Sequence, residues 1–121
     1  MDGDKVKPIS ILVIEPDHNT RVAVRNILEA EGHFVVSSAS GSEALAILEK
    51  ISTPSLILIA TEIAVNHPHL SVESLRNIEK YLSVPIAQLR NPSDLLLSGT
   101  CGVVNIPVSK LDLLSIVKSC R

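Results

Sequence analysis

Three apolar runs in this chain end on residues that could do chemistry. Ile9 to Glu15 (ISILVIE) closes on a carboxylate, with Pro16 and Asp17 directly behind it. Ser55 to Ala60 (SLILIA) is followed by Thr61 and Glu62, and Val84 to Leu89 (VPIAQL) delivers Arg90. A continuous apolar run rich in β-branched residues marks a strand buried on both faces, and open α/β sheets gather their chemistry at the edge where such strands end. Glu15, Asp17 and Glu62 are therefore expected to cluster there. Like charges about 4 Å apart repel by roughly 4 kcal/mol at an effective dielectric of 20, so the cluster calls for a cation. Arg90 supplies one if it reaches over the small Ala60 to a carboxylate, as a fixed internal ion pair; the alternative is that it points into solvent. The central run itself delivers only the methyl group of Ala60 where a reactive atom is expected.

Other residues invite chemistry less strongly. His67-Pro68-His69 could be half a metal site, but no third ligand is evident, and the reading favoured here is an exposed loop. Thr61 could accept a phosphoryl group from a separate kinase; a solvated loop hydroxyl is the plainer expectation. Ser, His and Asp all occur without the GxSxG pattern of a nucleophile elbow. The stretch LSGTCG lacks the lysine and spacing of a P-loop. Cys101 and Cys120 lack CxxC spacing and are expected to stay reduced thiols.

The elements that must position these residues follow from periodicity. After the first strand, Asn19-Thr20 offers an N-cap to a helix carrying Ala23, Val24, Ile27 and Leu28, which Gly32 ends. Phe34 to Ser38 is a second strand, and Ser40-Gly41-Ser42 opens a helix running to about Lys50. A polar stretch, Thr61 to Leu70, follows the third strand. Ser71 caps a helix with Leu75, Ile78 and Leu82 on one face. Asn91-Pro92-Ser93-Asp94 leaves room for at most about two helical turns before Gly99, so the helix between the fourth and fifth strands is expected to be short or irregular. Gly102 to Ile106 is the fifth strand. Ser109-Lys110-Leu111-Asp112 resembles a capping box at the start of a last helix. Strands alternating with helices predict an α/β fold: a doubly wound, five-stranded parallel sheet, flavodoxin-like with order 2-1-3-4-5, helices on both faces and right-handed crossovers.

Composition agrees. The 121 residues suffice for one domain. Hydrophobic residues make up 45% and aromatics only 2%, so aliphatic side chains must fill the core, which favours helices layered on a sheet over an aromatic-rich β-sandwich. A net charge of −2 gives no basic field for nucleic acid or an anionic membrane. No apolar run is long enough to span a bilayer, and the polar start MDGDKVKP lacks a signal peptide's apolar segment. These features predict a cytoplasmic protein, with residues 1–8 a disordered or appended tail and 9–121 the folded domain.

Fold alone leaves function open, but ordered local stretches narrow it. Ile11 to Leu28 (ILVIEPDHNTRVAVRNIL), Gly32 to Val36, Gly41 to Leu45, Leu56 to Glu62, Val84-Pro85-Ile86 and Gly102 to Pro107 resemble, in this order, the receiver domain of bacterial response regulators. The resemblance implies a magnesium-binding acid pair after the first strand, where Glu15 keeps the first acid, Pro16 takes the second place and Asp17 stands one place late. It implies a phosphoacceptor Asp at Ala60, a Ser or Thr at Arg90, a Lys at Ile106 and an aromatic switch residue at Val103. Asn105 precedes Ile106 at the same edge. Phosphoryl transfer needs a nucleophilic oxygen, a bridging cation and donors for the developing charge. Ala60 removes the oxygen, Pro16 a magnesium ligand, Ile106 the ammonium, and Val103 with Arg90 the coupling that transmits the signal.

The resemblance thus points to a pseudo-receiver: a non-catalytic, cofactor-free module of a two-component-type system, with no metal, acting by phosphorylation-independent protein contact. Two alternatives stand beside it: an atypical acceptor using Asp17 or Glu62, and a flavodoxin-like domain that binds a small ligand in the vacated pocket. Receivers commonly meet partners through the fourth helix, fifth strand and fifth helix. Here the last helix should turn Leu113 and Val117 inward, leaving Leu111, Leu114 and Ile116 as a candidate face for a protein partner or self-association. The competing reading is that these residues cover core left bare by the shortened fourth helix.

Overall fold

The computed structural model describes residues 7–120. The expected tail therefore lies outside the described residues except for Lys7 and Pro8, which form no regular element; Arg121 also lies outside them. The strands are β1 (Ser10–Ile14), β2 (Phe34–Ser38), β3 (Leu56–Ala60), β4 (Ile86–Arg90) and β5 (Gly102–Asn105). The helices are α1 (His18–Ala30), α2 (Gly41–Lys50), α3 (Thr61–Asn66), α4 (Val72–Arg76) and α5 (Lys110–Ser119), with a 3-10 turn at Glu79–Tyr81. All strand pairs are parallel, in the order β2-β1-β3-β4-β5, as the alternation of runs predicts.

The strict alternation of strand side chains divides the core into two layers. Leu12, Ile14, Ile57, Ile59 and Ile86 pack beneath α2, α3 and α4. Ile11, Val13, Leu56, Leu58, Leu89 and Val104 pack beneath α1 and α5, where Leu113 and Val117 turn inward as expected. Ser40, Ser71 and Ser109 cap their helices, each side-chain oxygen accepting a backbone N–H three residues on. Gly32 ends α1 at φ +90°, a conformation that costs glycine nothing.

Several local expectations are corrected. The N-cap of α1 is Asp17, not Asn19-Thr20: its carboxylate accepts both the backbone N–H and the hydroxyl of Thr20 at 2.9 and 2.8 Å. Thr61 to Asn66, expected as loop, is helical, although Ala60 provides no side-chain cap. The helix after Ser71 stops at Arg76, and Ile78 and Leu82 are 41% and 59% exposed instead of facing the core. Tyr81 is buried in their place, because its ring fills the layer while its hydroxyl donates to the Leu48 carbonyl at 3.3 Å. Between β4 and β5 there is no helix at all, only turns.

Strand side chains hold that segment in the helix's stead. Gln88, fully buried in β4, donates to Leu95 O at 2.9 Å and accepts from Leu97 N at 3.0 Å. Arg90 Nε donates to Asp94 O, and the Asp94 carboxylate accepts from Asn91 N. The expectation of reduced thiols is overturned as well. Cys101, just before β5, and Cys120, just after α5, form a disulfide, with Cα atoms 5.5 Å apart. They stand 19 positions apart in the chain, so no local spacing announces the pair; packing α5 against β5 brings them together. Among the described residues no helix is long and apolar enough to cross a membrane.

Candidate functional site at the sheet edge

β1, β3 and β4 all end at one edge, and a cleft of about 410 Å³ opens there. Glu15, Ala60, Thr61, Glu62 and Ile106, all expected at this edge, line it. The remaining walls come from residues that the sequence does not single out: Leu89 from β4, Val65 and Asn66 from α3, and Asn91, Asp94 and Leu95 from the turns after β4. Their positions depend on α3, which the sequence does not announce, and on the β4–β5 segment, where a short or irregular helix is expected and only turns form.

Glu15 immediately follows β1 and is only 4% exposed. Its Oε2 accepts the Asp17 N–H at 3.0 Å. Burial pushes its carboxyl above the usual glutamate value of 4.5, and the nearby charges of Asp17 and Glu62 push the same way. The Asp17 N–H bond and the Arg21 charge oppose this without cancelling it. Asp17 is turned out of the cleft by its capping role, and the two Thr20 bonds hold its carboxyl below the ordinary value of 3.8. Pro16 likewise stands outside the lining.

Arg90 does not reach over Ala60. Its Nε goes to Asp94 O at 2.9 Å and its Nη1 to Asn105 Oδ1 at 3.5 Å. Arg90 and Asn105 are register partners on β4 and β5, so the pair sits beside the cleft and not across it. The cation near Glu15 is Arg21 of α1, but its Nη1 donates to the backbone carbonyls of Glu15 and Pro16 at 2.9 and 3.2 Å. Thr61 is buried, not loop-solvated. Its hydroxyl donates to Leu89 O at 3.3 Å and accepts from Gln88 Nε2 at 2.8 Å, so both of its bonds are spent inside the fold. Val103 is partly buried, beside Gln88.

The donor set does not suit magnesium, which demands near-octahedral oxygen coordination. Pro16 and Ala60 offer no side-chain oxygen, Asp17 is committed to Thr20, and among the described residues no three potential ligands stand together. His67 is half-buried at the end of α3 rather than exposed. Its ring lies against Gly41 at the start of α2, leaving no space for a Cβ there, and its Nδ1 is buried without a hydrogen bond. On the opposite flank Leu111 is 76% exposed, whereas Leu114 and Ile116 pack against the core. The tip of Ile116 lies 2.6 Å from where a Cβ at Gly102 would stand, so it fills the space that this glycine leaves.

No family model and no curated protein sequence matches this chain. Solved structures do. The chemotaxis response regulator CheY4 of Vibrio cholerae superposes with a TM-score of 0.81 at 21% identity, covering 95% of this chain and 100% of that one. The receiver domain of a sensor histidine kinase from Pseudomonas aeruginosa PAO1, which holds a magnesium ion in its active-site cleft, gives 0.79 at 20% identity over 93% and 97% of the two chains. The receiver domain of a signal transduction histidine kinase from Syntrophus aciditrophicus gives 0.77 at 22% identity over 91% and 87%. The chain thus has the five-stranded, flavodoxin-like fold in which these response-regulator receivers are built.

Proposed function

We propose that this chain is a pseudo-receiver: a non-enzymatic signalling module of two-component type that works through protein contact without phosphorylation at its sheet edge. One observation carries the reading. Ala60 ends the central strand at the cleft, so the position that faces the acidic end of β1 carries a methyl group and no nucleophilic oxygen. The surroundings support it. Ile106 puts an aliphatic chain in the wall where a lysine would hold a phosphoryl group, and Arg90 is engaged with the β4–β5 segment and Asn105. The partner, another protein or a second copy, would meet the β5–α5 face, where Leu111 projects.

The test is incubation with acetyl phosphate and magnesium, followed by intact-mass measurement. The mass is expected to stay unchanged. A gain of one phosphoryl group, on Glu62, Asp17 or any other residue, would overturn the proposal.

A further inference from the structure

The disulfide at the start of β5 joins an accessible sulfur to a buried one. Cys101 is exposed, and its backbone N–H donates to the Ile86 carbonyl at 2.9 Å, so β4 holds it in place. Cys120 is 3% exposed and belongs to the apolar cluster of Val104, Leu113 and Val117. It also ends α5, its N–H donating to Ile116 O at 2.9 Å. The bond therefore spans β5 and α5, the two elements of the proposed partner face.

A reductant meets two unequal sulfurs. A dithiol's thiolate reaches Cys101 Sγ, forms an S–S bond to it and breaks the Cys101–Cys120 bond, and the electron pair leaves on Cys120 Sγ. The reductant's second thiol then displaces Cys101 and closes the reductant's own disulfide. In sum, two electrons and two protons pass from the dithiol to the two cysteines. The leaving sulfur is the one that the fold holds worst as an anion. It is buried among apolar side chains, at the negative end of a helix dipole. Water must reach it to supply the proton, which needs the last turn of α5 to open. That turn is lightly held. Lys118 and Ser119 are exposed, so Cys120 is its inward side chain. Cys120 Sγ lies 3.7 Å from where a Cβ at Gly102 would stand, beside the tip of Ile116, so these atoms seat the helix end on β5 together. Helix ends fray where nothing anchors them.

We propose that the Cys101–Cys120 pair is a redox switch on the β5–α5 face. Oxidised, it seats the last turn of α5 on β5; reduced by a dithiol, it frees residues 118–120 and loosens the seating of Ile116 over Gly102. This deepens the reading of β5–α5 as the partner face and rests on it. The two fail separately: added phosphoryl mass at the sheet edge says nothing of α5, and the spectra below need no phosphodonor.

The test compares the parent protein, oxidised and in excess dithiothreitol, by nuclear magnetic resonance. In the dithiol, the α-carbon shifts of Lys118 and Ser119 are expected to move from helical to random-coil values. Amide exchange at Cys120 should quicken at least about tenfold, and the Ile116 δ-methyl signal should move, while residues 110–114 keep helical shifts. Reoxidation should restore the first spectrum. Helical shifts at Lys118 and Ser119 in the dithiol, an unmoved Ile116 methyl, or loss of the whole fold on reduction would each overturn the proposal. The double substitution Cys101→Ser, Cys120→Ser should give the reduced spectrum without reductant, and the oxidised spectrum from it overturns the proposal equally. Reduction should also proceed from the folded state, its rate changed less than about twofold by urea below the unfolding transition. A rate that rises in step with the unfolding equilibrium would show that the bond opens only in the unfolded chain, as a brace and not a switch.

Discussion

Glu15 is a carboxyl that the fold needs and does not welcome. Its raised pKa fixes the sign of a pH effect. A group that holds its proton more tightly when folded contributes stability that is fully present below its unfolded value of 4.5 and is lost as pH rises through the higher folded value. Unfolding midpoints in urea should therefore fall as pH rises from about 4.5 towards neutrality. Glu15→Gln keeps an oxygen for the Asp17 N–H but removes the charge. It should flatten that slope and be the more stable protein at pH 7. Parallel slopes for the two proteins would show that Glu15 does not titrate as its burial demands. Asp17 acts with the opposite sign. Its lowered pKa contributes stability above 3.8 that is lost as pH falls through the still lower folded value, so the two effects occupy separate windows.

At the scale of elements, the chain replaces a helix with side-chain hydrogen bonds. Gln88 bonds Thr61, Leu95 and Leu97 at once, tying the start of α3 to the turns after β4 and so shaping two walls of the cleft. Gln88→Leu keeps the volume but removes three hydrogen bonds. At about 1 kcal/mol net each, the expected loss is roughly 2–3 kcal/mol in urea unfolding, together with faster amide exchange at Leu97. A neutral substitution would mean that Leu97 packing and the Arg90–Asp94 contact hold the segment without Gln88. The same residue shows where the sequence stops being readable. Caps at Ser40, Ser71 and Ser109 and the stop at Gly32 are local, and the residues that make them stand within a few positions of each other. Ala60 is legible because it ends β3, and Ile106 because it directly follows β5, at the edge that the strand pattern fixes. Gln88 reads as one polar residue in an apolar run, and its partners become visible only once the sheet has formed. The exchange of Ile78 and Leu82 for Tyr81 in the core, and the turning of Arg90 towards Asn105, are decided in the same way by tertiary neighbours.

Across the whole molecule, the sheet separates two ends with different tasks. The cleft lies where the strands finish, and the Cys101–Cys120 bond lies where β5 begins, under the finish of α5. α5 is a ten-residue helix held by Leu113 and Val117 inside and by Ile116 over Gly102. Helices of this length are marginal alone, so its far end depends on what anchors it, and Cys120, 3% exposed, is that anchor. Closing a loop of 19 residues by a disulfide removes unfolded-state entropy worth about 3 kcal/mol in the chain-entropy treatment. The double substitution Cys101→Ser, Cys120→Ser should therefore unfold at lower urea by an amount near that figure. Dithiothreitol should lower the stability of the parent protein equally and leave the double variant unmoved. Stability unchanged by reduction would mean that the packing of Leu113 and Val117 and the seating of Ile116 over Gly102 hold α5 without the bond.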